Sequence, residues 1–259
     1  MQRLGKNIGK YFGESLPLDR FTAAVQQAAI AHGWQTEHFL RTNTLELFAL
    51  RRTRGTPAQR IYLSAGIHGD EPAGPLALLQ LLEENHWPEA TEIVLCPCLN
   101  PTGCAQNTRE NAAGLDLNRD YLNAQSAEII AHIDWLQRQG VFDLTVCLHE
   151  DWEAHGFYVY ELNPDARPSL APAIIERVRP VCPIDLSPEI EGRPAAGGII
   201  RPSHDPLSRP QWPEAFYLLS HQTRLCYTVE APSDFPLPTR VAALVASVQA
   251  ALELPPKAS

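Results

Sequence analysis

The stretch SAGIHGDEPAG, residues 64–74, ends an apolar run with a histidine and two acids set among three glycines. A turn requires the glycines, but it requires neither His68 nor Glu71. Two further apolar runs end in the same way. FDLTVCLHED delivers His149, followed by Glu150 and Asp151, and RLCYTVEAP delivers Glu230. Imidazole and carboxylate groups suit Zn²⁺, and two histidines plus one glutamate with an open water position form a catalytic ligand set. Glycines beside His68 let the backbone turn sharply enough to bring His68 and Glu71 towards one point. HxxE alone is a weak signal, because a histidine and an acid in a loop are ordinarily solvated. His149 at a strand end also fits a core-edge histidine bonded to Asp151. Three separate apolar runs that each end in a ligand or base favour a metal site.

The segment NPTGCAQNTRENAAGLDLNRDY, residues 100–121, adds Arg109, Asn118 and Arg119. An arginine beside an asparagine can hold a substrate carboxylate through fork-like hydrogen bonds. A separate arginine near a metal can neutralise a developing oxyanion. The competing explanation is surface pairing of Arg109 with Glu110 and of Arg119 with Asp120. Glu153, His155, His204, Asp205 and His221 are further ligand types, but their spacing gives no converging geometry, so one metal per chain is expected.

The elements that must position these groups are legible as apolar runs. LELFALRR, RIYLSAG, TEIVLCPCL, FDLTVCLHE, GFYVYEL and RLCYTVEA read as strands. PAGPLALLQLLEENH and SAEIIAHIDWLQRQ have helical spacing, the second with Ser126 as N-cap, and PTRVAALVASVQAALEL reads as a closing helix. Strands alternating with helices predict a mostly parallel or mixed sheet covered on both faces. In such sheets the carboxyl ends of strands converge on the ligand crevice. The stretch from Pro183 to Pro213 is rich in proline and glycine and reads as a long irregular excursion on the substrate side.

Composition bounds the alternatives. At 259 residues and 44% apolar content the chain can bury a substantial core, and no linker or repeat divides it, so one catalytic domain over 1–259 is expected. MQRLGKNIGKYFGESLPL has no apolar signal region and no run approaches membrane-spanning length, so a cytoplasmic protein without membrane association is expected. The six cysteines sit mostly in strand-like runs, as reduced buried thiols do. Cys96 and Cys98 have no second close pair, which argues against a four-cysteine zinc knuckle. A formal charge of −9 argues against nucleic acid as a partner.

HGDE at 68–71, NP at 100–101, TR at 108–109, DLNRDY at 116–121, LHE at 148–150 and TVE at 228–230 stand in the order of the zinc metallocarboxypeptidases. The chain resembles that family from about residue 60 to 232. The resemblance implies a three-layer α/β/α sandwich around a central twisted mixed sheet of about eight strands. It implies His68, Glu71 and His149 as ligands of one Zn²⁺ and Glu230 as the glutamate that works on water. It makes Arg109 the group that polarises the scissile carbonyl, and Asn118 with Arg119 the pair that holds a terminal carboxylate. There are departures. Glu150, Asp151 and Trp152 replace a short polar sequence with a serine, and the interval from Glu71 to His149 is short. Tyr217 lies where digestive members place a tyrosine over the carboxylate, but in a dissimilar loop, and it receives no role. In its expected absence of a signal peptide and propeptide the chain resembles the short bacterial branch, which includes intracellular enzymes that trim murein peptides. Deacylases of the succinylglutamate desuccinylase and aspartoacylase group share the sheet and the zinc triad. The implied activity is hydrolysis of an amide next to a free carboxylate in a peptide. N-acyl amino acid deacylation is the alternative, and a non-catalytic metal- or peptide-binding protein is a third.

Overall fold

A computed structural model describes residues 3–5, 13–43, 45–53, 55–203, 205 and 210–253. Along the chain run α1 (Leu18–Ala31), β1 (Gln35–Arg41), β2 (Glu46–Thr53), β3 (Gln59–Ala65), α2 (Ala73–Glu84), β4 (Thr91–Cys96) and α3 (Pro101–Gln106). A one-turn 3₁₀ helix (Leu117–Arg119) follows, then α4 (Ala127–Gln137), β5 (Leu144–Asp151), β6 (Tyr158–Leu162) and α5 (Ala171–Val178). Three short strands, β7 (Glu189–Ile190), β8 (Arg193–Ala196) and β9 (Ile199–Ile200), precede α6 (Glu214–His221), β10 (Cys226–Pro232) and α7 (Leu237–Leu252).

The strands form one mixed sheet in the order β1-β2-β4-β3-β5-β10-β6-β9-β8-β7. Its centre is parallel, with β3 between β4 and β5, and β5 beside β10. Antiparallel pairs flank it at β1–β2, β2–β4 and β6–β10. Central strands buried on both faces carry apolar residues at nearly every position. In β3, Ile61 and Leu63 point into a core layer shared with α1, α2, α5 and α7. The intervening Tyr62 points into a second layer with α4 and α6. Period-two alternation thus assigns adjacent residues of one strand to two cores. The three-layer arrangement expected from the sequence is present.

The expected strand count is corrected from about eight to ten among the described residues. Three of the ten, β7, β8 and β9, lie inside the stretch expected to be irregular. β7 and β8 meet in a two-residue turn, Glu191–Gly192, with φ of 52° and 66° at its two residues. Positive φ at both positions suits the tight hairpin turns whose twist matches the strands. Strands of two to four residues are too short to display alternation. No helix among the described residues is long and apolar enough to cross a membrane.

Candidate metal centre and cavity

The ligand loop hangs between β3 and α2 and is pressed against the start of α3. A Cβ at Gly69 would lie 1.9 Å from the carbonyl carbon of Gly103, so only glycine allows the two backbones to meet. Asn100 fastens the contact: its main-chain N–H donates to the Gly66 carbonyl at 2.7 Å and its side-chain amide to the Ile67 carbonyl at 3.2 Å. Strand β5 pairs directly with β3, setting Leu148 opposite Ala65, and this brings His149 beside the loop.

His68, Glu71 and His149 are all buried. His68 Nδ1 lies 2.5 Å from Glu71 Oε1, and His149 Nδ1 lies 3.0 Å from Glu71 Oε2. One ligand atom from each residue falls within 4.8 Å of the others. Two imidazole nitrogens and a carboxylate therefore converge on one point, a donor set that fits a divalent metal such as zinc. Glu150 N–H also donates to Glu71 Oε2, at 3.1 Å. His68 turns its other nitrogen, Nε2, towards Asp116 Oδ1 at 3.4 Å. A carboxylate behind a metal-binding imidazole fixes its orientation and raises its basicity. Asp151, considered above as a partner of His149, instead accepts the Tyr158 hydroxyl at 3.1 Å and Glu153 N–H at 2.8 Å.

A cavity of about 410 Å³ opens over the triad, and Arg109, Asn118, Arg119 and Glu230 all line it. Arg109 Nε donates to Asp116 Oδ2 at 3.0 Å, and its Nη1 lies 3.3 Å from His68 Nδ1. Asp116 thus holds the imidazole and the guanidinium together, so the surface pairing of Arg109 with Glu110 is not what forms. Asp120 is likewise occupied elsewhere, accepting Ser126 N–H at 2.9 Å at the start of α4. Arg119 is exposed at the rim and donates to the Asn118 carbonyl at 2.8 Å. Glu230 reaches the cavity because β10 pairs with β5 in a register that sets it opposite His149.

The two glutamates are held in opposite states. Burial alone would raise the Glu71 carboxyl, but the adjacent His68 and His149 outweigh it and hold it far below its usual range. Glu230 lacks such neighbours. Burial and the charges of Glu71, Asp151 and Glu191 push it well above the ordinary carboxylate value. Burial also raises Asp70 to about 6, with the charge of Glu71 adding to it. Two carboxyl groups in one cavity, one kept ionised and one poised to take a proton, suit a ligand and a base.

Further contributors carried no motif. Tyr158, Tyr160, Glu191 and Arg193 line the cavity, the last two from the β7–β8 hairpin. Glu150 lies directly behind the triad: its carboxylate accepts Ala73 N–H, at the start of α2, at 2.6 Å and pairs with buried Arg240 of α7. Tyr217 is buried within α6, stacked on His221 with ring centroids 4.5 Å apart, and does not line the cavity. Among the described residues, the other ligand types named above form no converging group. His155 and Asp185 are joined by a main-chain N–H at 3.1 Å, while His221 Nδ1 lies 3.0 Å from the Tyr217 carbonyl. His204 lies outside the described residues.

Comparison with known proteins supplies the last observation. Residues 57–150 match the family model of the succinylglutamate desuccinylase/aspartoacylase catalytic domain. A 71-residue stretch is 37% identical to Carboxypeptidase 2 of Trichophyton rubrum, covering 24% of this chain and 13% of that protein's length. A candidate metallopeptidase from Shewanella baltica OS155 shares the fold at a TM-score of 0.77 and 24% identity, over 91% of each chain. A metallo-carboxypeptidase from Pseudomonas aeruginosa, solved with (2-guanidinoethylmercapto)succinic acid, aligns at a TM-score of 0.64 and 22% identity. That alignment covers 90% of this chain and 68% of that one. The chain has the metallocarboxypeptidase-like fold, and through residues 57–150 it is related to the succinylglutamate desuccinylase/aspartoacylase group.

Proposed function

We propose that the protein is a zinc-dependent hydrolase that cleaves an amide bond next to a free carboxylate in a peptide. One observation carries the reading: a convergent His68–Glu71–His149 set opens into the same cavity as a separate carboxyl group, Glu230, and a guanidinium, Arg109. A purely structural metal site needs neither of the last two. Zinc held by the triad supplies Lewis acidity towards a carbonyl and towards water.

The chain's own groups have the following roles. Glu230 takes the proton of the attacking water and returns it to the leaving amine. Arg109 faces the negative charge that develops on the scissile carbonyl oxygen, and Asp116 fixes its guanidinium for that task. Asn118 and Arg119 hold the substrate carboxylate, which turns binding energy into alignment of the scissile bond. Arg119 is exposed rather than buried, so its contribution is a rim charge, and the buried Asn118 sets the position.

A second reading, N-acyl amino acid deacylase, is favoured by the match of residues 57–150 to the desuccinylase/aspartoacylase model. The two part on what flanks the scissile bond: a peptide on one reading, an acyl group on a single amino acid on the other. A panel of acyl amino acids, dipeptides and murein-derived peptides, assayed with zinc-loaded protein, separates them. The peptidase reading expects turnover of peptides that falls sharply when the free carboxylate is amidated. Turnover confined to acyl amino acids would replace it with the deacylase reading. Metal binding with no hydrolysis across the panel would reject both.

A further inference from the structure

Beneath the cavity, between the sheet and α6, lies a buried polar chain that the proposed chemistry does not use. Glu214, the first residue of α6, is 1% exposed, yet its carboxyl group is well satisfied. It accepts the Tyr62 hydroxyl at 2.9 Å and the Ser64 hydroxyl at 2.8 Å, both from β3. Tyr62 Oη in turn lies 3.0 Å from His132 Nε2, and His132 Nδ1 lies 2.7 Å from the Tyr121 hydroxyl. The proton order follows from the first donor. Burial raises the Glu214 carboxyl to about 7; in its ionised form Tyr62 gives its proton to Glu214, so the Tyr62 oxygen accepts from His132 Nε2–H, and the bare Nδ1 accepts from Tyr121. Burial holds His132 neutral, with its pKa down to about 3, as this order requires.

The chain of bonds returns to the cavity through the backbone. Helix α6 begins at Pro213 without a side-chain cap of its own, which leaves its first N–H groups in need of partners. Glu214 N–H finds Asn118 Oδ1 at 2.9 Å, from the 3₁₀ turn 96 residues earlier. A main-chain N–H can only donate, so the atom it meets is the amide oxygen of Asn118. The Asn118 NH₂ is therefore the end available to the cavity that Asn118 lines. An amide turned the other way would present an oxygen to a carboxylate and repel it. Asn118 and Tyr121, three residues apart in one motif, are thus clamped by the two ends of the same network.

We propose that Glu214 is a positioning residue for the carboxylate anchor: its side chain pins the first turn of α6 to β3, and its N–H turns the Asn118 amide donor towards the substrate. The inference rests on the peptidase reading above and names the group that orients its anchor. Glu214 itself touches no substrate. Pro213, Ala215 and Phe216 of the same turn also line the cavity, so the acid-to-amide substrate ratio, which reads the carboxylate anchor, is the measurement that isolates the path through Asn118.

The test uses the zinc-loaded, full-length chain with Glu214→Ala, Glu214→Gln, Tyr62→Phe and Asn118→Ala, and two readouts. The first is hydrogen exchange of the residue-214 main-chain N–H by NMR. Wild type and Glu214→Gln should protect it, Glu214→Ala should exchange at least about tenfold faster, and Tyr62→Phe should fall between. The second is the ratio of kcat/KM for N-acetyl-Ala-Phe to that for its C-terminal amide. Glu214→Ala should lower this ratio through KM, as Asn118→Ala does, with kcat and zinc content within about twofold of wild type. Glu214→Gln should restore it. Wild-type protection and an unchanged ratio in Glu214→Ala would overturn the proposal, as would a lower melting temperature with the ratio intact. If Glu214→Ala does not fold, Tyr62→Phe decides: wild-type values in both readouts reject the proposal. An unchanged ratio in Asn118→Ala would instead reject the carboxylate anchor itself, while the exchange rates still report whether Glu214 orients Asn118.

Discussion

Glu71 and Glu230 face one cavity, and the reading assigns them different work, so their substitutions must fail differently. Glu71 lies between two imidazoles and accepts Glu150 N–H, as a coordinating group does. Glu230 stands outside the convergent group, with its proton affinity raised. Glu230→Gln should keep close to full zinc by elemental analysis, yet lose at least roughly 10²-fold in kcat/KM. Glu71→Gln should lose zinc and activity together. Ordinary turnover in Glu230→Gln would break the mechanism, and zinc loss in that variant would make Glu230 a ligand. Asp116 allows a second comparison, because it lies 3.4 Å from His68 Nε2 and accepts the Arg109 guanidinium. Asp116→Asn should weaken zinc affinity about 10- to 100-fold, measured by competition with a chromogenic chelator. Unchanged affinity would reduce Asp116 to a partner of Arg109. The ligand types were legible because each closes an apolar run. Asp116 was not, since a carboxylate in an irregular segment shows nothing in sequence of which imidazole it will face.

At the scale of elements, the triad depends on a junction between β5, α2 and α7. Glu150 follows His149 of the triad, accepts Ala73 N–H at the start of α2, and pairs with an Arg240 that is fully buried. Arg240 also donates to the Phe235 carbonyl at 2.9 Å and to Glu14 at 2.5 Å. Removing one partner of a buried pair leaves the other charge without compensation. Arg240→Ala should therefore cost about 3–5 kcal/mol in urea unfolding. It should also loosen zinc binding, because Glu150 carries a hydrogen bond to Glu71 on its main chain. A loss under about 1 kcal/mol with unchanged zinc affinity would show that the pair is dispensable for the site. None of this junction was readable in the sequence: Glu150 is one of two acids that follow His149, and nothing in the pattern of the closing helix marks Arg240 as its partner. Long apolar strands and helices with 3.6-residue spacing were legible, as RIYLSAG and SAEIIAHIDWLQRQ illustrate. Helix α1 was missed although its buried Phe21, Val25, Ala28 and Ala29 fall at helical spacing, because only two of the four are large and no side chain caps its start. Strands β7 to β9 were missed because their pairing is local and very short.

For the whole molecule, the question is whether the metal organises the fold or only the site. Two extensive cores lie on opposite faces of the sheet, and their cohesion does not pass through the triad. The strands that deliver the triad and Glu230 are paired along their lengths, β3 with β5 and β5 with β10. Without metal, the Glu71 carboxylate still faces both imidazoles and the Glu150 N–H, so it is not stranded in the interior. Chelation should accordingly abolish turnover while leaving the far-UV circular dichroism spectrum unchanged. The melting temperature should nevertheless fall, because a ligand bound only by the native state stabilises it by RT ln(1 + [L]/Kd), about 4 kcal/mol at a thousandfold excess over Kd. For a chain of this size that corresponds to a drop on the order of 10 °C. Zinc added to the chelated protein should restore both activity and melting temperature without a refolding step. Loss of the secondary-structure signal on chelation would show that the metal holds the fold itself, and the triad would then be structural as well as functional.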